Sequence, residues 1–260
     1  MYMVAFRNWQ FIGLVLLTGL SSVRASIDAD EATIAVASNF SAAAQQLAAD
    51  FENKSGHKIN LVFGSSGRFY AQISNGAPFD AFLSADQEKP LALVENELAI
   101  KDSLFTYARG ALVLWSADSE KVNNSVDVLR SNSFNKIAIA NPRLAPYGLA
   151  GNEVIERLGL SNDLSKKIVL GENIVQTYQF VATENAEIGL VAYSQVFFTG
   201  QLSAGSVWIV PEELYDPIRQ DAVLLNRGQS NRAASGFLEF VKSHEGQTTI
   251  QSFGYRAGES

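Results

Sequence analysis

The chain alternates short apolar runs with stretches whose apolar residues fall at helical spacing. Thr33-Ile34-Ala35-Val36-Ala37 reads as a buried strand. Phe40, Ala44, Leu47 and Phe51 follow on one face of a helix, with Ser38 or Asn39 as its cap and Gly56 at its end. Residues 59–63 form the next strand, and Gly64-Ser65-Ser66-Gly67 then opens a short helix that stops near Gly76. Residues 80–85 are a third strand. A helix over 89–99 follows, with Leu91, Leu93, Val94 and Leu98 expected on its buried side. Residues 104–115 are β-prone and long enough to leave one body of the protein and enter another.

The alternation then resumes. A short helix begins at Val126, residues 136–140 are a strand, and the loop 141–148 opens a helix carrying Val154, Ile155 and Leu158. Residues 167–170 are a strand leading through Gly171-Glu172-Asn173 into a helix with Val175, Tyr178 and Val181. Residues 187–192 are a strand, 222–225 carry the chain back, and one helix from Ala233 holds Phe237, Phe240 and Val241. This order predicts an α/β fold with mostly parallel sheets flanked by helices. Two long crossovers predict two lobes with a ligand cleft between them, one lobe from residues 26–107 plus 218–260 and the other from 108–217.

Composition adds a compartment. Arg7 precedes the apolar run 11–17, and Val23-Arg24-Ala25 offers a small-residue cleavage site, so residues 1–25 read as a cleavable signal peptide of an exported, periplasmic protein. With no cysteine, the chain has no disulfide, no lipid-bearing cysteine and no thiolate metal site. Its formal charge is −7, and losing two arginines with the leader makes that −9. Such a balance argues against nucleic acid and against an anionic membrane as partners. A small anion would have to be held by local dipoles.

Four strand-to-helix junctions could supply them: Ser38-Asn39, Ser65-Ser66, Pro146-Tyr147-Gly148 and residues 173–175. Helix N-termini present unpaired N–H groups and a positive dipole end, which favours anions. In open α/β sheets ligands bind beyond the carboxyl ends of the strands, where such junctions meet. From pattern alone they read equally as four ordinary helix caps.

The segments Ala37-Ser38-Asn39-Phe40, Gly64-Ser65-Ser66-Gly67, Gln72-Ile73, Gly76-Ala77-Pro78, Ser84-Ala85-Asp86 and Ala145-Pro146-Tyr147-Gly148 resemble the periplasmic molybdate-binding proteins. These are ModA-type solute receptors of ABC importers. The likeness runs from about residue 32 to the C-terminus. It implies a type II periplasmic-binding-protein fold, no catalytic step, no cofactor, and molybdate or tungstate as ligand. It also implies oxyanion donors at Ser38, Asn39, Ser66, Tyr147 and Val175. The implied partners are a membrane permease and, through it, an ATPase, with the receptor itself a monomer that is not embedded in the membrane. One departure stands out. Where many relatives end a strand on a ligand-binding Tyr, this chain has Ala192, with Tyr193 one residue later and so on the other face of a strand. Tyr147 is the candidate for the missing phenol.

Other readings fare worse. A serine hydrolase needs a base beside its nucleophile, and the two histidines, His57 and His244, lie in a turn and near a helix end. Asp80 and Asp86 lie a strand's length apart with no histidine, a poor cation site. Arg68 adjoins the Ser66 junction but reads as a solvent-facing residue. Sulfate remains a competing ligand of the same charge, separated from molybdate by size. Phosphate would call for an acceptor carboxylate that none of the junctions carries.

Overall fold

Residue types at the strand ends decide how this chain turns between its sheets. The computed structural model describes Met1 and residues 29–258, with 132 and 199 excepted, so the signal-peptide expectation lies outside the described residues. In order, the first elements are β1 (Glu31–Ala37), α1 (Ser41–Ser55), β2 (Lys58–Gly64), α2 (Ser66–Ser74), β3 (Ala81–Leu83), α3 (Glu88–Glu95) and β4 (Phe105–Gly110). The middle of the chain forms β5 (Leu112–Ser116), α4 (Asp127–Ser131), β6 (Ile137–Ala140), α5 (Pro146–Arg157), α6 (Ser161–Leu164), β7 (Ile168–Gly171) and α7 (Ile174–Ala182). Then come β8 (Ile188–Ala192), α8 (Tyr193–Val196), β9 (Phe197–Phe198), β10 (Gln201–Leu202) and β11 (Ser206–Ile209). The chain ends with β12 (Ile218–Leu224), α9 (Arg232–Lys242), α10 (His244–Ser252) and β13 (Arg256–Ala257).

Two sheets result. The first has the order β13-β4-β12-β3-β1-β2 and the second β11-β5-β8-β6-β7, with β9 and β10 a small separate ribbon. Strands that lead into helices pair in parallel: β1 with β2 and β3, β6 with β7 and β8. The crossover strands pair antiparallel, β12 with β3 and β4, β5 with β8 and β11. The reason is geometric. A strand that enters a sheet from the side of the cleft runs opposite to strands whose carboxyl ends point there. Each sheet is therefore mixed, with its parallel strands aimed at the cleft.

Alternation along the strands sorts side chains onto two covered faces. In the first sheet Ile34, Val36, Ala81 and Leu83 pack with α1, α9 and α10, while Ala35 and Phe82 pack with Phe69 and Ile73 of α2 and Leu93 of α3. In the second, Leu112 and Leu114 face Val154 and Ile155 of α5, and Val113 and Trp115 face Val181 of α7. Ala37 at the end of β1 and Ala85 in the loop after β3 join the second sheet's core beside Ala145, Tyr147 and Ile174, so apolar contact runs across the cleft.

Several local expectations are corrected. Residues 104–115 form two strands, β4 and β5, and the chain changes sheet at Gly110-Ala111. Leu91 is exposed, because Leu93 points into the core and residues two apart on a helix cannot share a face. Ser38 and Asn39 form a 3-10 turn ahead of α1 and neither side chain caps it. The C-terminal helix is two, divided where Ser243 caps α10 by accepting a hydrogen bond from Gly246 N.

Candidate functional site

The carboxyl ends of β1, β2 and β3 meet the N-termini of α5 and α7 around a cavity of about 10 Å³. Ser38, Asn39, Ser65, Ser66 and Ala85 border it from the first sheet, and Pro146, Tyr147 and Ile174 from the second. Among the described residues no acidic, basic or histidine side chain lines it. It is smaller than the roughly 300–1,000 Å³ of sites for organic ligands. A volume of that order is about one water-sized sphere, room for a small group and not for an organic ligand.

Each junction supplies its donors differently. Gly64 lets the chain leave β2 against the ring of Phe69, and α2 then begins at Ser66. The fully buried Ser66 hydroxyl accepts from Ala85 N at 2.9 Å, which leaves its own proton to donate. Ser38 and Asn39 are 6 % exposed, held in the 3-10 turn after β1. Pro146 occupies the first turn of α5, where a missing N–H costs nothing, and sets Tyr147 with its phenol toward the chain crossovers. That hydroxyl accepts a long hydrogen bond, 3.4 Å, from Gln220 Nε2. A Cβ at Gly110 would lie 2.0 Å from it, so only glycine lets the phenol rest there.

Burial pushes the Tyr147 and Tyr107 phenols well above their usual pKa, and Tyr255 up to about 12. All three therefore keep their protons at physiological pH. With hydroxyls, amides and helix ends, the site is one of neutral donors.

Val175 does not border this cavity but lines an adjoining recess together with Ser38. Its N–H donates to Asn173 Oδ1 at 3.0 Å, because Asn173 caps α7 and also accepts from Gln176 N at 3.0 Å; Ile174 borders the cavity in its place. Tyr193 is also turned away: its ring stacks on Phe197 with centroids 4.0 Å apart, and the preceding Ala192 is fully buried.

The residues of the rejected chemistries are accounted for elsewhere. His57 Nδ1 accepts from Asp30 N at the far, amino end of β1. Asp80 Oδ2 accepts from Thr33 N and Oδ1 from Arg227 Nε, while Asp86 pairs with Lys89 at 2.6 Å. Among the described residues no group of three or more His, Asp or Glu side chains could hold a metal ion, and no helix is long and apolar enough to cross a membrane.

Sequence reasoning missed what ties the two sides together. Gly67 N donates to Leu144 O across the cleft at 2.8 Å, and Arg68 pairs with Glu172 at 3.5 Å on its rim. Asn39 Nδ2 donates to Gln220 Oε1 at 2.8 Å and reaches Tyr255 OH at 3.2 Å. No local signal marks Gln220, a polar residue within an otherwise strand-like run.

Comparison with known proteins gives the family and the fold. Residues 32–256 match the family model described as bacterial extracellular solute-binding protein. The molybdate-binding protein ModA of Azotobacter vinelandii is 45% identical over 242 residues, covering 93% of this chain and 96% of that protein. The ModA of Rhodobacter capsulatus is 47% identical over 242 residues, covering 93% of each. The solved structure of the Azotobacter vinelandii periplasmic molybdate-binding protein superposes with a TM-score of 0.85 at 38% identity, covering 88% of this chain and 100% of that one. The sulfate-binding protein SubI of Mycobacterium tuberculosis, at 13% identity and a TM-score of 0.72, covering 88% of this chain and 87% of that one, shares the fold. Two mixed sheets closing on a cavity of neutral donors, together with these likenesses, place the chain in the bacterial extracellular solute-binding family as a ModA-type, non-enzymatic receptor.

Proposed function

We propose that this protein captures molybdate, and also tungstate, in the periplasm and delivers it to the permease and ATPase of an ABC importer. The observation that carries the reading is the small interlobe cavity, bordered by hydroxyls and helix N-termini and by no charged side chain among the described residues. Each helix end contributes about half a positive charge. A hydrogen bond from a neutral donor to an anion adds roughly 1.5–3 kcal/mol. The 45% and 47% identical relatives named for molybdate support the choice of anion. The absence of a bordering carboxylate argues against a protonated phosphate.

Ser38 and Ser66 donate their hydroxyls, Asn39 and Tyr147 donate from the two sides, and the anion bridges them. Val175 N–H joins only by exchanging Asn173 Oδ1 for the anion, which leaves Gln176 N still capped. The lobes turn about Gly110-Ala111 and the start of β12, so residues 108–110 stay with the first lobe as the end of β4. A ligand held from both sides favours the closed form by its differential contacts, and the closed form is what the permease recognises. Residues 1–25 direct export and are removed, and the mature receptor acts as a monomer.

Isothermal titration of the mature protein with molybdate, tungstate, sulfate and phosphate tests this. Tight binding of the first two with little of the others is expected. Preference for sulfate or phosphate would change the nutrient, and binding of none would overturn the site.

A further inference from the structure

We infer that Gln220 is a positioning residue: its buried amide holds Asn39 from one side of the cleft and Tyr147 from the other in the arrangement the anion needs. The inference rests on the receptor reading above.

Gln220 is fully buried in the middle of β12, the strand that brings the chain back from the second sheet to the first. A buried amide there is costly unless its groups are bonded, and an aliphatic side chain would suit the neighbouring Ala222 and Val223 better. The amide is used at both ends. Oε1 accepts from Asn39 Nδ2 at 2.8 Å and from Tyr107 OH at 3.1 Å, and Nε2 donates to Tyr147 OH at 3.4 Å.

The backbone around it is shaped for this contact. The ladder between β12 and β4 shifts register between Gln220 and Asp221 and skips Tyr107, a bulge that re-aims the tyrosine toward the amide. Tyr107 OH also lies 2.9 Å from Ser84 O, which ties the network to the loop next to Ala85 on the cavity wall. On the other crossover, a Cβ at Gly110 would meet both Tyr147 OH at 2.0 Å and Gln220 Nε2 at 2.8 Å. Both chain crossings therefore press on the same phenol–amide pair.

The consequence is directional. With Gln220 Nε2 donating to it, the Tyr147 oxygen serves as acceptor, and its proton is left for another partner. With Oε1 holding its Nδ2, the Asn39 side chain is fixed, and Tyr255 OH fixes Asn39 O at 2.7 Å. Separation of the lobes would part Tyr147 from Gln220. The amide thus sets the donors in place only when the cleft is shut.

The test is a double-mutant cycle on the mature protein, using Gln220→Met, Tyr147→Phe and the pair, with molybdate titrated calorimetrically. Each single change should weaken binding by about tenfold or more, and the pair by no more than the worse single, because the two act as one unit. In protein carrying ¹³Cζ-tyrosine, the Tyr147 resonance, assigned by its loss in Tyr147→Phe, should shift on adding molybdate to wild type and not to Gln220→Met. Should Gln220→Met fail to fold, Gln220→Leu, uncharged and lacking both amide groups, is read instead and should show the same loss and the same silent resonance. Undiminished affinity, additive losses, or a Tyr147 resonance that still responds would overturn the role of Gln220 and leave the receptor reading standing. A wild-type protein that binds none of the four oxyanions would overturn the receptor reading and this inference with it.

Discussion

Gly67 N donates a hydrogen bond to Leu144 O at 2.8 Å, a main-chain contact between the first turn of α2 and the loop before α5, on opposite walls of the cleft. It brings the two backbones so close that a Cβ at Gly67 would sit 2.9 Å from Leu144 O and 3.1 Å from Leu144 Cα. Neither atom belongs to a flexible side chain, so the lobes themselves would have to separate. Gly67→Ala should therefore weaken molybdate binding by about tenfold, equal to about 1.4 kcal/mol. The melting temperature without anion should hardly move. Calorimetry with a thermal melt checks both, and equal affinity would show that closure tolerates the extra methyl.

The hydroxyls of Ser38 and Ser66 are proposed to touch the anion. Replacing either by alanine should reduce molybdate affinity by about 1.5–3 kcal/mol, the value of a hydrogen bond to a charged group. Ser66→Ala should also lower stability slightly, since Ala85 N loses its acceptor. Unchanged affinity in both variants would place the site elsewhere.

Asp80 is a structural carboxylate. It accepts from Thr33 N at 2.8 Å and from Arg227 Nε at 3.2 Å, at the end of β3 remote from the cavity. Asp80→Ala leaves the Thr33 N–H without its acceptor and should cost about 2–3 kcal/mol of stability. Molybdate affinity should stay as it was, measured by denaturant unfolding and titration on the same preparation.

Asp221 gives the fold a pH dependence of opposite sign to that of a salt-bridged acid. Burial raises its pKa, against hydrogen bonds from Thr106 at 2.6 Å and Gln87 at 3.2 Å; nearby Asp86 raises it further and Arg219 opposes. An acid whose pKa is raised on folding destabilises the fold fully above that folded pKa. The penalty is relieved as pH falls through it and is gone below the unfolded value. Asp221→Asn should thus melt higher than wild type at neutral pH, the two converging near about pH 4. A lower melt at neutral pH would mean that the two hydrogen bonds outweigh the desolvation.

Much of the fold was legible because its signals are local. Four buried residues in a row at 34–37, helical spacing after them and Gly56 in the left-handed conformation, φ 75°, each depend on near neighbours. Ser66 and Tyr147 were marked as candidates by their place between a strand and a helix, and only the resemblance suggested donor roles for them. That Asn173 caps α7 and takes the Val175 N–H was not legible, since Ser, Asn or Gly at such a junction reads the same until the helix start is placed. The break at Ala111 was hidden too, since β4 and β5 are both strand-like and only their membership of different sheets separates them.

The sequence by itself determined the alternation of strands and helices, the four junctions and the acidic balance, and with them an α/β protein suited to a small anion. Tertiary structure alone decided which donors face one another. Asn39 meets Gln220 across 181 residues of chain and Tyr147 meets it across 73. Contacts at such separations depend on how two sheets twist, bulge at Tyr107 and close on each other. That outcome is a sum over the packing of both cores, and no periodicity within a single strand or helix records it.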